Sequence, residues 1–221
     1  MPRDLLTVYH LVDTRNYASI RKYGLLSAQR LQERTDIATP EMIAHWRQHR
    51  AKSVTLPDGT VLRDQRPMPP NALRRCLDPG LEPEDWYELL NGKVFFWTDH
   101  DRLNRQRRAC GGTEQIALTI DAAALLHHYG NVAGVSPINS GNAMRAAARR
   151  GRSTFVPYRL WQAEGWRSER QDGSPPRLPN HPPAELVIPG AVPDVLAYVR
   201  SETRLGAGEF LIPDLASRPG R

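Results

Sequence analysis

One acidic residue stands at a position where burial of its side chain would be costly. Glu185 directly precedes the apolar run Leu186-Val187-Ile188, in the stretch PPAELVIPG at residues 182–190. A carboxylate half inside a fold must be paired, protonated or used in chemistry. The alternative for Glu185 is an edge-strand position that faces solvent or pairs with an arginine.

A histidine near the N-terminus belongs to a longer pattern. His10 lies in the alternating segment LLTVYHLV at 5–12, and the chain continues as YHLVDTRNYASIRKYGLLS. This order predicts a strand that carries the histidine, a short turn, an amphipathic helix and a glycine stop. A lone strand histidine is more often a satisfied core or edge residue, so the pattern around His10 carries the functional hypothesis.

Other motifs of catalytic proteins are incomplete in this chain. His45 and His49 have the spacing of metal ligands, but Trp46 stands where the zinc protease motif has glutamate, so no metal is expected. The glycines within 206–208 lack the third glycine of a dinucleotide fingerprint, and Ser136 lacks the second glycine of a nucleophile elbow. The sequence therefore predicts neither Rossmann-type binding nor elbow-type hydrolysis.

The elements that would position Glu185 and His10 follow one another irregularly. Asp58-Gly59 predicts the turn of a hairpin within 55–65. The order of the elements favours an α+β fold, with one domain at residues 1–200 and a loosely docked tail at 201–221. Strands are predicted at 5–12, 93–98, 114–121, 184–190 and 195–200, helices at 16–23, 27–35, 40–52, 82–92, 99–110 and 123–130, and a polar, proline-rich loop at 161–180.

Charge and cysteine content bound the setting of the protein. The net charge of the 221 residues is +6, and most of the 30 basic residues are arginines. Such a balance fits a polyanionic partner, or simply a solvated basic surface. Cys76 and Cys110 lie far apart, and the sequence contains neither a signal-peptide core nor an apolar run of about 18 residues. We therefore expect a soluble cytoplasmic protein without a membrane partner.

These segments together resemble the DarT-like NAD-dependent ADP-ribosyltransferases. In that family a strand histidine precedes a pattern that Asn16, Ile20, Gly24 and Leu25 match. Residues 41–50 resemble the helix that carries an NAD-contacting arginine in that family. Arg50 is the first choice for this arginine and Arg47 the second. VFFWTDHDRL at 94–103 resembles the aromatic strand of the family. PAELVI resembles the strand whose glutamate is catalytic, with Pro183 in place of glutamine. The segments span about residues 5–200, and LRDQ, WYELLNGKVFFW, SPINSG and RGRSTF are typical of an uncharacterised bacterial branch.

The resemblance implies two small packed β-sheets flanked by helices around an NAD cleft. It implies that Glu185 is catalytic, because breaking the bond between nicotinamide and ribose puts positive charge on the ribose ring. His10 would donate to a ribose hydroxyl or a phosphate, and the backbone of Leu11 would contact the nicotinamide amide. The implied cofactor-binding residues are His10, Leu11, Asn16, Ile20, Gly24, Leu25, Arg50, Arg63 and Phe96.

The acceptor is expected to be a nucleic-acid base in DNA or RNA. The basic segments at 102–108 and 145–152 could follow a phosphate backbone, or could be solvated faces of helices and turns. The implied substrate-binding residues are Arg102, Asn139, Ser140, Arg150 and Arg152. The resemblance also implies a toxin or phage-defence setting, in which an antitoxin could be a partner, and we expect a monomer.

Two alternatives remain at this point. The same scaffold could be a non-enzymatic nucleic-acid-binding module with a decayed site, in which case oligonucleotide binding would not depend on Glu185. An RNA-processing transferase of the tRNA 2′-phosphotransferase kind would need a set of basic residues around a phosphate that this sequence does not match.

Overall fold

An antiparallel sheet of seven strands forms the framework of the computed structural model, which describes residues 3–34, 47–110, 112–144, 148–169 and 177–212. The strand order in this sheet is β11-β6-β1-β5-β9-β7-β8, and two further sheets of two strands pair β10 with β2 and β3 with β4. The strands are β1 (Thr7–Asp13), β2 (Leu25–Leu26), β3 (Val54–Thr55), β4 (Val61–Leu62), β5 (Lys93–Trp97), β6 (Gln115–Asp121), β7 (Gly134–Ser136), β8 (Val156–Pro157), β9 (Glu185–Pro189), β10 (Ala191–Val192) and β11 (Val199–Leu205).

The large sheet is nearly divided between β1 and β5. These two strands are joined at the Tyr9↔Trp97 pair, whereas β1 pairs with β6 along its whole length and β5 pairs with β9 along its whole length. The expected pair of small packed sheets is therefore wrong. The molecule has one large antiparallel sheet in which two well-paired halves meet at a narrow seam.

Local signals account for the helices that follow β1. The helix α1 (Tyr17–Tyr23) buries Ile20 and ends at Gly24, whose φ of 72° is left-handed. A Cβ atom on Gly24 would lie 2.3 Å from the carbonyl oxygen of Val192, so only glycine allows β10 to approach this closely. The helix α2 (Ala28–Glu33) begins at Ser27, whose hydroxyl accepts a hydrogen bond from the backbone N–H of Arg30.

The remaining helices pack beside the two halves of the sheet. Their bounds are α3 (Pro70–Arg74), α4 (Pro83–Asn91), α5 (His100–Ala109), α6 (Ala122–Tyr129) and α7 (Tyr158–Glu164). The largest apolar core contains side chains of β1, β5, β6 and β9, and a second core lies under α3 and α4. Within the described residues, no helix has the length and apolar character needed to cross a membrane.

Most predicted elements are confirmed, and three are corrected. Residues 47–52 of the predicted 40–52 helix are not helical, while residues 40–46 lie outside the described part of the chain. The predicted loop at 161–180 begins within α7, which buries Tyr158 and Trp161. The predicted strand at 195–200 starts as a 3-10 helix at Val195–Tyr198.

The expected tail starts later than the sequence indicates. Residues 201–205 complete β11, which pairs with β6. Beyond the strand, Leu211 is buried, and its backbone exchanges two hydrogen bonds of 2.9 Å with the side chain of Asn104. The chain from Ser201 to at least Leu211 is therefore docked on the fold.

Candidate active site

A cleft of about 900 Å³ lies along the seam of the large sheet. Its wall combines residues of β1, β5, β9, the β3–β4 hairpin, α5 and the turn after β7. The volume is within the range of small-molecule and cofactor sites. Eight of the predicted site residues line this cleft: His10, Leu11, Arg50, Arg63, Arg102, Asn139, Ser140 and Glu185.

His10 bridges the seam where the backbone pairing stops. Its Nδ1 lies 2.8 Å from the carbonyl oxygen of Phe95. Because a carbonyl oxygen can only accept, Nδ1 must carry the hydrogen. Burial lowers the pKa of His10, partly opposed by this hydrogen bond, so the ring is neutral near pH 7 and Nε2 holds a lone pair. The ring therefore offers the cleft an acceptor, whereas the sequence-based expectation was a donor.

Glu185 is the first residue of β9 and lies between two strands. It pairs with Trp97 of β5 on one side and with Ser136 of β7 on the other. Only 3% of Glu185 is exposed to solvent. Its Oε1 accepts a hydrogen bond of 3.1 Å from the backbone N–H of Ser140, and its buried Oε2 has no hydrogen-bond partner in the described parts of the chain.

This burial dominates the acidity of Glu185. Desolvation raises the pKa of its carboxyl group from 4.5 to about 7, against the opposing effects of the Ser140 hydrogen bonds and the charges of Arg102 and Arg150. The carboxyl group is therefore poised to change its charge near neutral pH. Such a value is typical of groups that carry out acid–base or charge-stabilising chemistry.

Arginines line two sides of the cleft. On one side, Arg50 donates from Nε to the carbonyl oxygen of Arg63 at 2.7 Å and from Nη2 to Oδ1 of Asn91 at 3.4 Å. Burial lowers the pKa of Arg50, but an arginine stays charged at any ordinary pH. On the other side, Arg102 is held by Asp99 at 2.7 Å. Both sides could bind phosphate oxygens.

A short turn supplies the backbone N–H that holds Glu185. Asn139 accepts a hydrogen bond of 3.0 Å from the backbone N–H of Gly141, and Ser140 is only 1% exposed. The carbonyl oxygen of Ser140 faces Nε1 of Trp86 and Nη1 of Arg150, each at 3.4 Å. Arg150 thus binds the turn from behind and does not line the cleft, which corrects its expected role in substrate binding.

Two further predicted residues also lie away from the cleft. Phe96 is 1% exposed and packs in the main core, which corrects its expected place among the cofactor-binding residues. Phe95 lines the cleft in its place, because neighbouring residues of a strand point to opposite faces. Arg152 is exposed and does not contribute to the wall of the cleft.

The segment from Asn16 to Leu25 lines a smaller cavity of about 130 Å³, which shares His10 and Leu11 with the cleft. Asn16 donates to the carbonyl oxygen of Val61 at 2.9 Å and accepts from the N–H of Val61 at 2.7 Å. Its amide thereby fixes the β3–β4 hairpin over the cleft. Ile20, Gly24 and Leu25 complete the wall of the small cavity.

Sequence reasoning missed a further group of cleft residues. Trp97 lines the cleft and donates from Nε1 to Oε1 of Gln106 at 2.6 Å. One face of α5 lines the same region through Arg102, Arg105, Gln106 and Ala109. The i, i+3, i+4 spacing places these residues on one face of α5, whereas the basic run at 102–108 did not by itself indicate which face meets the cleft.

Within the described residues, no group of three or more potential metal ligands is found. His49 places Nε2 at 2.9 Å from the carbonyl oxygen of Gln65, and His45 lies outside the described residues.

A family model described as a family of unknown function, DUF7002, matches residues 6–199. The chain belongs to the DUF7002 family. Comparison with curated proteins finds no match. Among solved structures, the DUF7002 chain is similar to Thermus sp. 2.9 DarT in complex with ADP-ribosylated ssDNA. The two chains share 16% sequence identity, and the alignment covers 87% of this chain and 80% of that chain, with a TM-score of 0.36. At this TM-score the similarity establishes neither fold nor function.

The geometry of the DUF7002 chain decides between the readings of Glu185 as a solvent-facing or a buried residue. An edge-strand glutamate would be exposed, whereas Glu185 lies inside the sheet between β5 and β7. The ion pairs observed in the described residues do not include it. At the wall of a large cleft, a buried carboxylate with one oxygen that accepts no hydrogen bond from the described residues can stabilise positive charge or take up a proton.

Proposed function

We propose that this DUF7002 protein is an NAD-dependent ADP-ribosyltransferase that releases nicotinamide and transfers ADP-ribose to a nucleic-acid base. The observation that carries the proposal is the meeting of His10 and Glu185 at one cleft, although they lie 175 positions apart in the chain. The sequence resemblance of both segments to ADP-ribosyltransferases supports the same assignment, and an ADP-ribosyltransferase type of fold is part of the proposal.

The cleft has properties that fit NAD as the co-substrate. Its volume of about 900 Å³ suits a dinucleotide. Arg50 and Arg63, adjacent at its wall, would bind the diphosphate by charge-assisted hydrogen bonds. The lone pair on Nε2 of His10 would accept a hydrogen bond from a ribose hydroxyl. Phe95 offers an aromatic surface to a planar ring.

Glu185 would carry the chemical step in its ionised form. The bond between the ribose carbon and the nicotinamide nitrogen breaks, and its electron pair leaves with nicotinamide. A nucleophilic atom of the acceptor forms the new bond to the same carbon, and its proton passes to Glu185 or to water. The carboxylate would stabilise the positive charge that develops on the ribose ring, which is the larger expected contribution.

The side of the cleft formed by β5 and α5 would take the acceptor. Trp97 could stack on a base, and Arg102 and Arg105 could bind flanking phosphates. The net charge of +6 supports the same class of acceptor.

Labelled NAD tests the proposal when it is offered with separate pools of DNA, RNA and protein. The wild type should release nicotinamide and transfer label to one pool, and Glu185→Gln should lower both rates by at least about a hundredfold. Glu114→Gln is the matched control, because Glu114 forms an exposed ion pair with Arg204 and neither residue lines the cleft, and it should behave as the wild type. Equal rates for Glu185→Gln and the wild type would remove Glu185 from the mechanism.

The clustering of arginines at the cleft also fits a second candidate, a non-enzymatic nucleic-acid-binding module. In that case the wild type would bind oligonucleotides without releasing nicotinamide, and Glu185→Gln would leave that binding unchanged.

A further inference from the structure

Arg150 is an internal arginine whose charge is directed at the backbone. It is 2% exposed, and its guanidinium donates to three carbonyl oxygens: those of Asn142 at 3.0 Å, Ala148 at 3.3 Å and Ser140 at 3.4 Å. Its guanidinium carbon also lies 5.9 Å from the ring centroid of Trp86. An arginine placed in this way costs desolvation energy, so its geometry must serve a structural or functional purpose.

The backbone of Arg150 is fixed as firmly as its side chain. Its N–H donates to the carbonyl oxygen of Cys76 at 2.8 Å, and its carbonyl oxygen accepts from the N–H of Asp78 at 2.9 Å. These bonds tie it to the segment after α3, which packs in the second core. The guanidinium therefore projects from a rigid base towards the 139–142 turn.

The turn in front of Arg150 has one contact that matters for the cleft. The backbone N–H of Ser140 donates to Oε1 of Glu185 at 3.1 Å, while the carbonyl oxygen of the same residue faces Arg150 and Trp86. Donors behind the turn thus hold the carbonyl groups of Ser140 and Asn142, which follow this N–H along the chain. Displacement of the turn would release Oε1 and let the carboxyl group rotate.

We propose that Arg150 is a positioning residue for Glu185, acting through the 139–142 turn. It holds the Ser140 N–H against Oε1, so that Oε2 remains available to a ligand in the cleft. This inference rests on the proposed function for its kinetic consequences, and on the contacts alone for its structural ones.

The charged groups around this arrangement define the expected pH behaviour. Arg102 from α5 and Arg150 act on Glu185, His10 of β1 lines the same cleft, and Cys76 lies close to Arg150. Loss of the positive charge of Arg150 would make ionisation of Glu185 harder. Loss of its hydrogen bonds would loosen the turn even when the charge is kept.

Two substitutions separate these effects. Arg150→Met should lower kcat for nicotinamide release by about tenfold or more, as is typical when a residue that orients a functional side chain is lost. It should change KM for NAD by less than about threefold, and should move the midpoint of the pH–activity profile upward by about half a pH unit or more. Arg150→Lys keeps the charge but not the forked geometry, so kcat should fall while the midpoint stays near that of the wild type.

Controls and a second variant keep the test decisive. Arg204→Met removes an equal charge from an exposed ion pair and should leave kcat, KM and the midpoint unchanged. If Arg150→Met does not fold, Trp86→Phe removes the indole donor to Ser140 while keeping an aromatic ring at this buried position, and should lower kcat severalfold. Wild-type kcat and midpoint in the Arg150 variants would overturn the proposal, and so would a rise in KM alone, which would indicate direct substrate contact.

A stability cycle tests Arg150 without any enzymatic activity. The difference in unfolding free energy between Glu185→Gln and its parent should grow more strongly with pH in the Arg150→Met background than in the wild-type background. Equal growth in both backgrounds would overturn the role of Arg150. If the wild type releases no nicotinamide, the proposed function fails, and this cycle still decides whether Arg150 acts on Glu185.

Discussion

Replacing Glu185 with glutamine should change how the stability of the chain depends on pH. In the unfolded chain the carboxyl group has its ordinary pKa of 4.5, and in the folded chain burial raises the pKa to about 7. Between these values the folded chain holds a proton that the unfolded chain releases. The contribution of this group to stability is therefore complete below pH 4.5 and is lost as the pH rises through about 7.

The size of the effect follows from the two pKa values. Each pH unit of difference corresponds to about 1.36 kcal/mol, so the interval from 4.5 to about 7 amounts to about 3 kcal/mol. Glutamine does not titrate. The unfolding free energy of Glu185→Gln minus that of the wild type should therefore increase by about 3 kcal/mol between about pH 4 and about pH 8.

Urea denaturation at closely spaced pH values measures this difference directly. Groups that titrate equally in both proteins cancel, and so does any pH-independent effect of the glutamine side chain. The exposed Glu114→Gln variant should give a difference that is flat to within about 0.5 kcal/mol. A flat curve for Glu185→Gln would refute the argument from burial. A decrease with pH would mean that a positive charge stabilises the carboxylate in the folded chain more than burial destabilises it.

Three further outcomes are expected. The rate of nicotinamide release by the wild type should rise with pH through about 7 and then level off, because Glu185 acts in its ionised form. A stopped assay over a series of pH values measures this rate. A rate that falls over this range would contradict the role of Glu185. Arg50→Met should raise KM for NAD by about ten- to a hundredfold, because a charge-assisted contact with NAD is lost. Arg47→Met breaks only an exposed pair with Asp85 and should change KM by less than about threefold. Steady-state kinetics measure both values, and equal effects on KM would reject the choice of Arg50. Gly24→Ala should lower the unfolding free energy by more than about 3 kcal/mol in urea denaturation, because the new Cβ would meet a backbone oxygen of β10. Gly59 is also left-handed but lies in open space, so Gly59→Ala should lower the unfolding free energy by only about 1–2 kcal/mol. Equal losses would show that β10 can move away.

The sequence was sufficient to predict the two strands that carry the proposed chemistry. The apolar run after Glu185 and its Pro-Gly stop defined β9, and the alternating segment around His10 defined β1. Local signals of this kind depend on a few neighbouring residues, so they are visible without a structure. The capping serine at the start of α2 and the glycine at the end of α1 belong to the same class.

Features set by tertiary contacts could not be predicted in the same way. Phe95 and Phe96 are equally apolar, and the pairing of β5 with β9 decides which one faces the cleft. The role of Arg150 depends on three carbonyl oxygens that only the fold brings to it. The division of the sheet at β1 and β5 depends on where the pairing stops, and no residue type in either strand signals that point.

Binding of NAD, observed at the imidazole of His10, is the most direct test of the central claim that His10 and Glu185 face one dinucleotide-binding cleft. The protein should carry ¹⁵N-labelled histidine and the Glu185→Gln substitution, which should slow turnover by at least about a hundredfold, and His10→Gln identifies the signal. Addition of NAD to about 1 mM, the upper end of common Michaelis constants, should shift the His10 signals saturably and leave those of the exposed His127 on α6 unchanged. An unchanged His10 signal, or equal shifts at both residues, would contradict the account.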